Sequence, residues 1–215
     1  MKTLPFKAKA MIFDLDGTLL DTEPLYSYAA QAVLEPYGHV FSSELKRLII
    51  GGDALQGAKM TVEAYGLPLS AEEFLSLRKE HLDKLFPTAP ETNGAREFLT
   101  HISKNEIASG LATSSFKAQC EMKISHRIWR PLLKVIVCGD DPELKKSKPA
   151  PDIFALCAKR MHVNPTKTIA FEDSKNGVLA AKAAGMTVIA INSPYTGPGD
   201  LDQADLVIES FRDLL

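Results

Sequence analysis

Six short apolar runs, separated by helix-patterned segments, constrain this chain more tightly than any other feature. They fall at residues 10–13, 107–112, 135–138, 168–171, 188–191 and 205–208. Each is rich in Ile, Val, Phe or Ala without strict polar alternation, as expected of strands covered on both faces. Helical patterns lie between them at 93–104, 116–126, 151–161 and 176–184. Strand and helix alternating in this way predict an α/β fold, a Rossmann-like parallel sheet with helices on both faces. A length of 215 residues, 45% hydrophobic, suffices for one large domain, or for one domain carrying a smaller insertion.

An insertion is visible because residues 22–86 offer no strand and four successive helical patterns. The first has Pro24 in its opening turn and Leu25, Tyr28, Ala29, Ala32 and Val33 as its expected apolar face, and it stops around Pro36 and Gly38. The second follows Ser42 and Ser43 and ends at Gly51 and Gly52, and the third runs from about Asp53 to Tyr65 with Gly66 as its stop. Ser70 and Glu73 form a capping box for the fourth, whose buried face is Phe74, Leu77, Leu82 and Leu85. The expected domains are therefore a core of residues 1–20 and 88–215 and a helical cap of residues 21–87. The segments 18–22 and 86–91, the latter with Pro87 and Pro90, are natural hinges.

A formal net charge of −2, with both signs interleaved, gives no reason to expect nucleic acid or a membrane surface as partner. A small substrate is the better expectation, with the protein a monomer or weak dimer. Cys120, Cys138 and Cys157 show neither disulfide nor zinc spacing and read as core residues of a reduced, cytoplasmic protein. The five histidines likewise lack metal-ligand spacing. Lys2, Lys7 and Lys9 precede Asp14 without a continuous apolar stretch, so neither a signal peptide nor a membrane span is expected there.

In open α/β sheets ligands bind beyond the carboxyl ends of the strands, so polar residues that directly follow an apolar run are the candidates for chemistry. Four places stand out: Asp14-Leu15-Asp16, Thr113-Ser114-Ser115 and Glu172-Asp173 at the ends of runs, and Lys148-Pro149 in the loop after the third. Two aspartates separated by one residue can both face a ligand while Leu15 turns to the core. One can attack phosphorus, and the other can protonate the departing oxygen and later accept a proton from water. Gly17 permits a sharp turn and Thr18 begins the exit toward the insertion. An attacking carboxylate and a phosphate dianion repel, so cations and donors must lie nearby. Glu172 and Asp173 offer oxygens suited to magnesium, Lys148 a fixed charge, and Thr113 with the amides of Ser114 and Ser115 an anion site at a helix start. Taken singly, each group also has a plain reading, as a turn, a helix cap or a solvated loop.

In this order and at these strand ends, the four groups resemble the motifs of the haloacid dehalogenase-like superfamily across nearly the whole chain. The resemblance implies that Asp14 is the nucleophile and a magnesium ligand, and that Asp16 is the general acid/base and binds the metal through its carbonyl. It further implies that Asp173 is a ligand, that Glu172 acts beside it directly or through water, and that Thr113 and Lys148 hold the transferring phosphoryl group. Ser114, Ser115, Gly17 and Thr18 complete the implied phosphate and substrate contacts. The insertion after the first motif matches the helical-cap branch, in which the chain is most similar to β-phosphoglucomutases and sugar phosphatases, and especially to pseudouridine-5′-phosphatase-like proteins. That closer likeness rests on residues 46–51, 111–115, 139–142 and 152–160.

Members that cleave carbon–halogen bonds lack the second aspartate, so Asp16 argues for phosphoryl transfer. Mutases of the β-phosphoglucomutase type carry a cap histidine where this chain has Tyr26, and an arginine near Gly51-Gly52-Asp53 that is missing here. Hydrolysis of a phosphomonoester through an aspartyl-phosphate is thus expected, with a sugar phosphomutase as the alternative. A non-catalytic phosphate-binding protein is the remote one, since a binder has no need of two carboxylates aimed at an anion. Gly52 stands where pseudouridine-phosphatase-like proteins tend to have a basic residue, which leaves the leaving group open. Tyr26, Lys59 and Lys117 could face it or could be surface residues, and Trp129 reads as packing.

Overall fold

The computed structural model describes residues 2–5, 7–49 and 54–215. Its chain forms two compact units, residues 1–21 with 90–215 and residues 22–89, each described here by itself.

The larger unit is built on six parallel strands: β1 (Ala10–Phe13), β2 (Ala108–Ala112), β3 (Leu133–Val137), β4 (Thr168–Glu172), β5 (Thr187–Ile191) and β6 (Leu206–Ile208). Their order across the sheet is β3-β2-β1-β4-β5-β6. Each of the six expected runs is a strand, with ends moved by at most two residues. The largest move is at β3, which begins at Leu133 beside a register shift at Ser109 and Gly110 of β2. Every residue of β1 and β4 is buried, which is why their composition lacks alternation.

Successive side chains nevertheless point to opposite faces. On one face Ile12, Ala170, Val188 and Ala190 pack with Ile153, Phe154 and Cys157 of α7 (Asp152–Arg160) and Val178 and Ala181 of α8 (Lys175–Ala183). On the other, Phe13 stacks on Phe171 with ring centroids 4.8 Å apart, and Phe98 meets Phe171 edge-on at 5.3 Å. Phe98 lies on α5 (Ala95–Lys104), and Phe211 closes the cluster at 5.2 Å from it. Offset and edge-on aromatic pairs of this kind add about 1 kcal/mol each to the burial of their area. The remaining helix of this unit is α6 (Lys117–Ile124), after β2.

The smaller unit holds α1 (Glu23–Leu34), α2 (Ser43–Ile49), α3 (Ala54–Tyr65) and α4 (Ala71–Leu85). Its core joins Ala30, Val33, Leu34, Ala58, Leu67 and Phe74. The α4 capping box is present: Ser70 Oγ accepts from the Glu73 amide at 3.1 Å, and Glu73 accepts from the Ser70 amide at 2.7 Å. One helical face differs from expectation. Tyr28 is 66% exposed, and the buried face of α1 is Leu25, Ala29, Ala30, Val33 and Leu34. The i, i+4 row 25-29-33 is flanked in the core by Ala30 and Leu34 rather than by Tyr28 and Ala32. The expected helix stop at Gly51 and Gly52 and the start at Asp53 lie outside the described residues, as do Ile50 and therefore part of the 46–51 stretch. Among the described residues no helix is long and apolar enough to cross a membrane.

Candidate active site

Parallel pairing in register sets the carboxyl ends of β1, β2 and β4 side by side, because Phe13 lies opposite both Leu111 and Phe171. The residues that follow them are thereby gathered. Asp14 is buried, its amide donating to Phe171 O at 2.9 Å, and Leu15 is fully buried behind it. Lys148 reaches in from the loop before α7. Its Nζ donates to Asp14 Oδ1 at 2.5 Å, to Glu172 Oε1 at 2.6 Å and to Ala112 O at 3.2 Å. The same ammonium sits 4.9 Å from the Phe154 ring centre, so one side is held by oxygens and the other by a π-face.

Glu172 has no free oxygen in this arrangement. Oε1 accepts a hydrogen bond from Lys148, and Oε2 accepts from the Asp173 amide, the Ser174 amide and the Ser174 hydroxyl at 3.0, 3.1 and 3.0 Å. Its carboxylate lies against Gly177, where an added Cβ would fall 1.8 Å from the Glu172 carboxyl. The geometry makes Glu172 an anchor for Lys148 and for the start of α8. Asp173 is held differently, its Oδ1 accepting from Thr18 Oγ1 at 3.0 Å. Its carboxylate fills the space over Gly17, where φ is +82° and a Cβ would sit 2.0 Å from Oδ2. Gly17 and Thr18 therefore shape the seat of Asp173.

The electrostatics follow from this crowding. Burial pushes the Asp14 carboxyl up to about 7; the charge of Lys148 opposes that rise, while those of Glu172 and Asp16 add to it. Burial, then Glu172 and Asp14, also hold Asp173 well above the ordinary range. Burial alone would lower the Lys148 ammonium, but Asp14 and Glu172 outweigh it and raise it. Once deprotonated, the two buried carboxylates of Asp14 and Asp173 offer oxygens of the kind a hard cation takes. Among the described residues no group of three His, Cys, Asp or Glu side chains is arranged to hold a metal, so a cation here would take carbonyl and water oxygens as well.

Thr113 is buried and its Oγ1 accepts from the Ser115 amide at 3.1 Å. The expected helix-start anion site changes in this light. The helix begins at Lys117, two residues after Ser115, and the Ser115 amide is already engaged. Ser114 is exposed, its carbonyl close against Gly139. The Ser115 hydroxyl donates to Asp16 Oδ2 at 2.6 Å.

One residue of the site was not foreseen. Lys123 of α6 is fully buried, and its Nζ donates to Asp16 Oδ1 at 2.6 Å and to Ser115 Oγ at 2.9 Å. The signal was present in the sequence, since Cys120, Lys123 and Ile124 fall on one helical face and all three are buried. Tyr26 packs within the smaller unit against Phe86 and under Arg78. Trp129 is a packing residue whose Nε1 donates to Glu91 at 2.9 Å.

Residues 11–191 match the haloacid dehalogenase-like hydrolase family, and the match spans β1 to β5 with all the groups just described. The chain is a haloacid dehalogenase-like hydrolase. It is 38% identical over 211 residues to "Probable pseudouridine-5'-phosphatase" of Drosophila melanogaster, covering 96% of this chain and 91% of that one. It is also 38% identical over 209 residues to "(DL)-glycerol-3-phosphatase 2" of Arabidopsis thaliana, covering 94% and 87%. Among solved structures, "putative beta-phosphoglucomutase from Thermotoga maritima" superposes with a TM-score of 0.82 at 33% identity, over 93% of this hydrolase and 94% of that chain.

Proposed function

We propose that this hydrolase is a magnesium-dependent phosphatase acting on a small phosphomonoester, of the sugar-phosphate or nucleoside-monophosphate type, through an aspartyl-phosphate on Asp14. The observation that carries the reading is the pairing of Asp14 with Lys148 at the end of the central strand, one residue away from Asp16. Phosphatase names among the relatives support the same class.

In this reading an Asp14 oxygen bonds to phosphorus as the ester P–O bond breaks, and the departing oxygen takes a proton from Asp16. Water then attacks the aspartyl-phosphate, its proton passes to the Asp16 carboxylate, and inorganic phosphate leaves with Asp14 restored. Lys148 and Thr113 hold the phosphoryl oxygens. Magnesium would be held by the carboxylates of Asp14 and Asp173 and the carbonyl of Asp16, and supplies positive charge against the developing phosphoryl charge.

A mutase would share this core. Tyr26, held among Arg78 and Phe86, stands where the mutases' cap histidine is expected, which favours water as the acceptor. Purified protein incubated with p-nitrophenyl phosphate, pseudouridine 5′-phosphate, glycerol 3-phosphate and hexose phosphates, with magnesium or with EDTA, tests the reading. Metal-dependent release of inorganic phosphate is expected, and no turnover on any of them would refute it.

A further inference from the structure

A fully buried lysine costs several kcal/mol in lost hydration unless an anion and further acceptors receive it. At Lys123 the receiving anion is Asp16 and the further acceptor is the Ser115 hydroxyl. The three groups close a ring: the ammonium binds Oδ1 of Asp16 directly, and through Ser115 Oγ it orders the hydroxyl that binds Oδ2. Both oxygens of the carboxylate thus receive a donor, Oδ1 from Lys123 and Oδ2 from Ser115. Arg127, one helical turn on, donates from Nε to the Lys123 carbonyl at 3.1 Å and lies 3.6 Å from Glu91, which ties the end of α6 to the segment after residue 90.

We propose that Lys123 is a positioning residue for proton transfer: with Ser115 it sets the orientation of Asp16, and so the path by which the leaving-group oxygen acquires its proton. The proposal rests on the role given to Asp16 above. Donors already directed at both oxygens also receive the charge left on Asp16 when its proton departs, with no reorganisation in that step. The consequence is selective. Ester oxygens that need protonation, as in alkyl phosphates, depend on Lys123, whereas a nitrophenolate departs without help.

The experiment compares wild type, K123M, K123R, D16N and D16N/K123M with magnesium, reading kcat/KM for glycerol 3-phosphate and for p-nitrophenyl phosphate. K123M is expected to lower the alkyl value about 100-fold with little change in KM, and the aryl value several times less. K123R, which keeps the charge but not the shape, is expected to fall between K123M and wild type. K123M is expected to cost nothing further in the D16N background. Thermal melting monitors folding, and the double variant removes both charges together, so it is spared an unpaired buried ion. If K123M does not fold, K123R carries the comparison. An unchanged alkyl-to-aryl ratio in the Lys123 variants, or a full additional loss on D16N, would overturn the proposal while leaving the phosphatase reading intact. A wild type inert to both esters, or a D16N ratio equal to wild type, would instead remove the reading beneath it, and the proposal with it.

Discussion

At the scale of single residues, the site is a contest for one ammonium. Asp14 and Glu172 both bind Lys148, and Glu172 is in addition satisfied by three other donors. Replacing Asp14 by Asn is expected to reduce phosphate release by roughly 10³-fold or more while the protein remains folded, checked by steady-state assay alongside circular dichroism. The raised carboxyls also give a pH dependence with a definite sign. Asp14 titrates near 7 in the folded chain against 3.8 when unfolded, so the folded state binds more protons between those values. Metal-free stability should therefore fall as pH rises from about 4 to about 7. A cation needs the carboxylates deprotonated, so magnesium should raise the melting temperature more at pH 8 than at pH 5, a difference that scanning calorimetry in EDTA and in magnesium would measure. Gly17 permits a third test. G17A puts a Cβ into the Asp173 carboxylate at a left-handed position, and should cost about 1–2 kcal/mol from the backbone alone, in urea melts, together with weakened magnesium affinity.

At the scale of elements, most of the architecture could be read from the chain because each strand is buried on both faces and each helix carries a one-sided apolar row. Asp14, Asp16, Thr113, Glu172 and Asp173 could be singled out because they follow apolar runs whose carboxyl ends open on one edge of the sheet, and Lys148 because its loop leaves the third such run. Lys123 could not be assigned a partner. It is 107 residues from Asp16, and only the setting of α6 against the end of β1 reveals that a cation on an apolar face meets an anion. Tyr28 shows the complementary limit, for periodicity locates a helix stripe but packing against Ala30 and Leu34 decides its centre. The capping box of α4 was legible to the residue, because its signal is local. S70A should cost the smaller unit about 1 kcal/mol, read as a lowered midpoint in chemical denaturation.

At the scale of the whole molecule, the chain passes between its two units at residues 21–22 and 89–90. Everything named in the chemistry belongs to the larger unit. The choice of ester is a separate matter: if it is made by residues of the smaller unit, changes at Tyr26 or Arg78 should alter KM among phosphomonoesters while sparing turnover of p-nitrophenyl phosphate. The substrate panel under Proposed function, repeated on Y26F and R78K, measures that separation.

Asp14 follows β1, which is flanked by β2 and β4 and is buried along its whole length. Edge strands β3 and β6 can fray without loosening either of its ladders. In deuterated buffer the amides of β1, and that of Asp14 bonded to Phe171, should be among the last to exchange, doing so only on global opening. A chain built in this way loses the position of the Asp14 carboxylate only when it loses its fold, so heat or denaturant should erase hydrolysis and structure at one midpoint rather than in two steps.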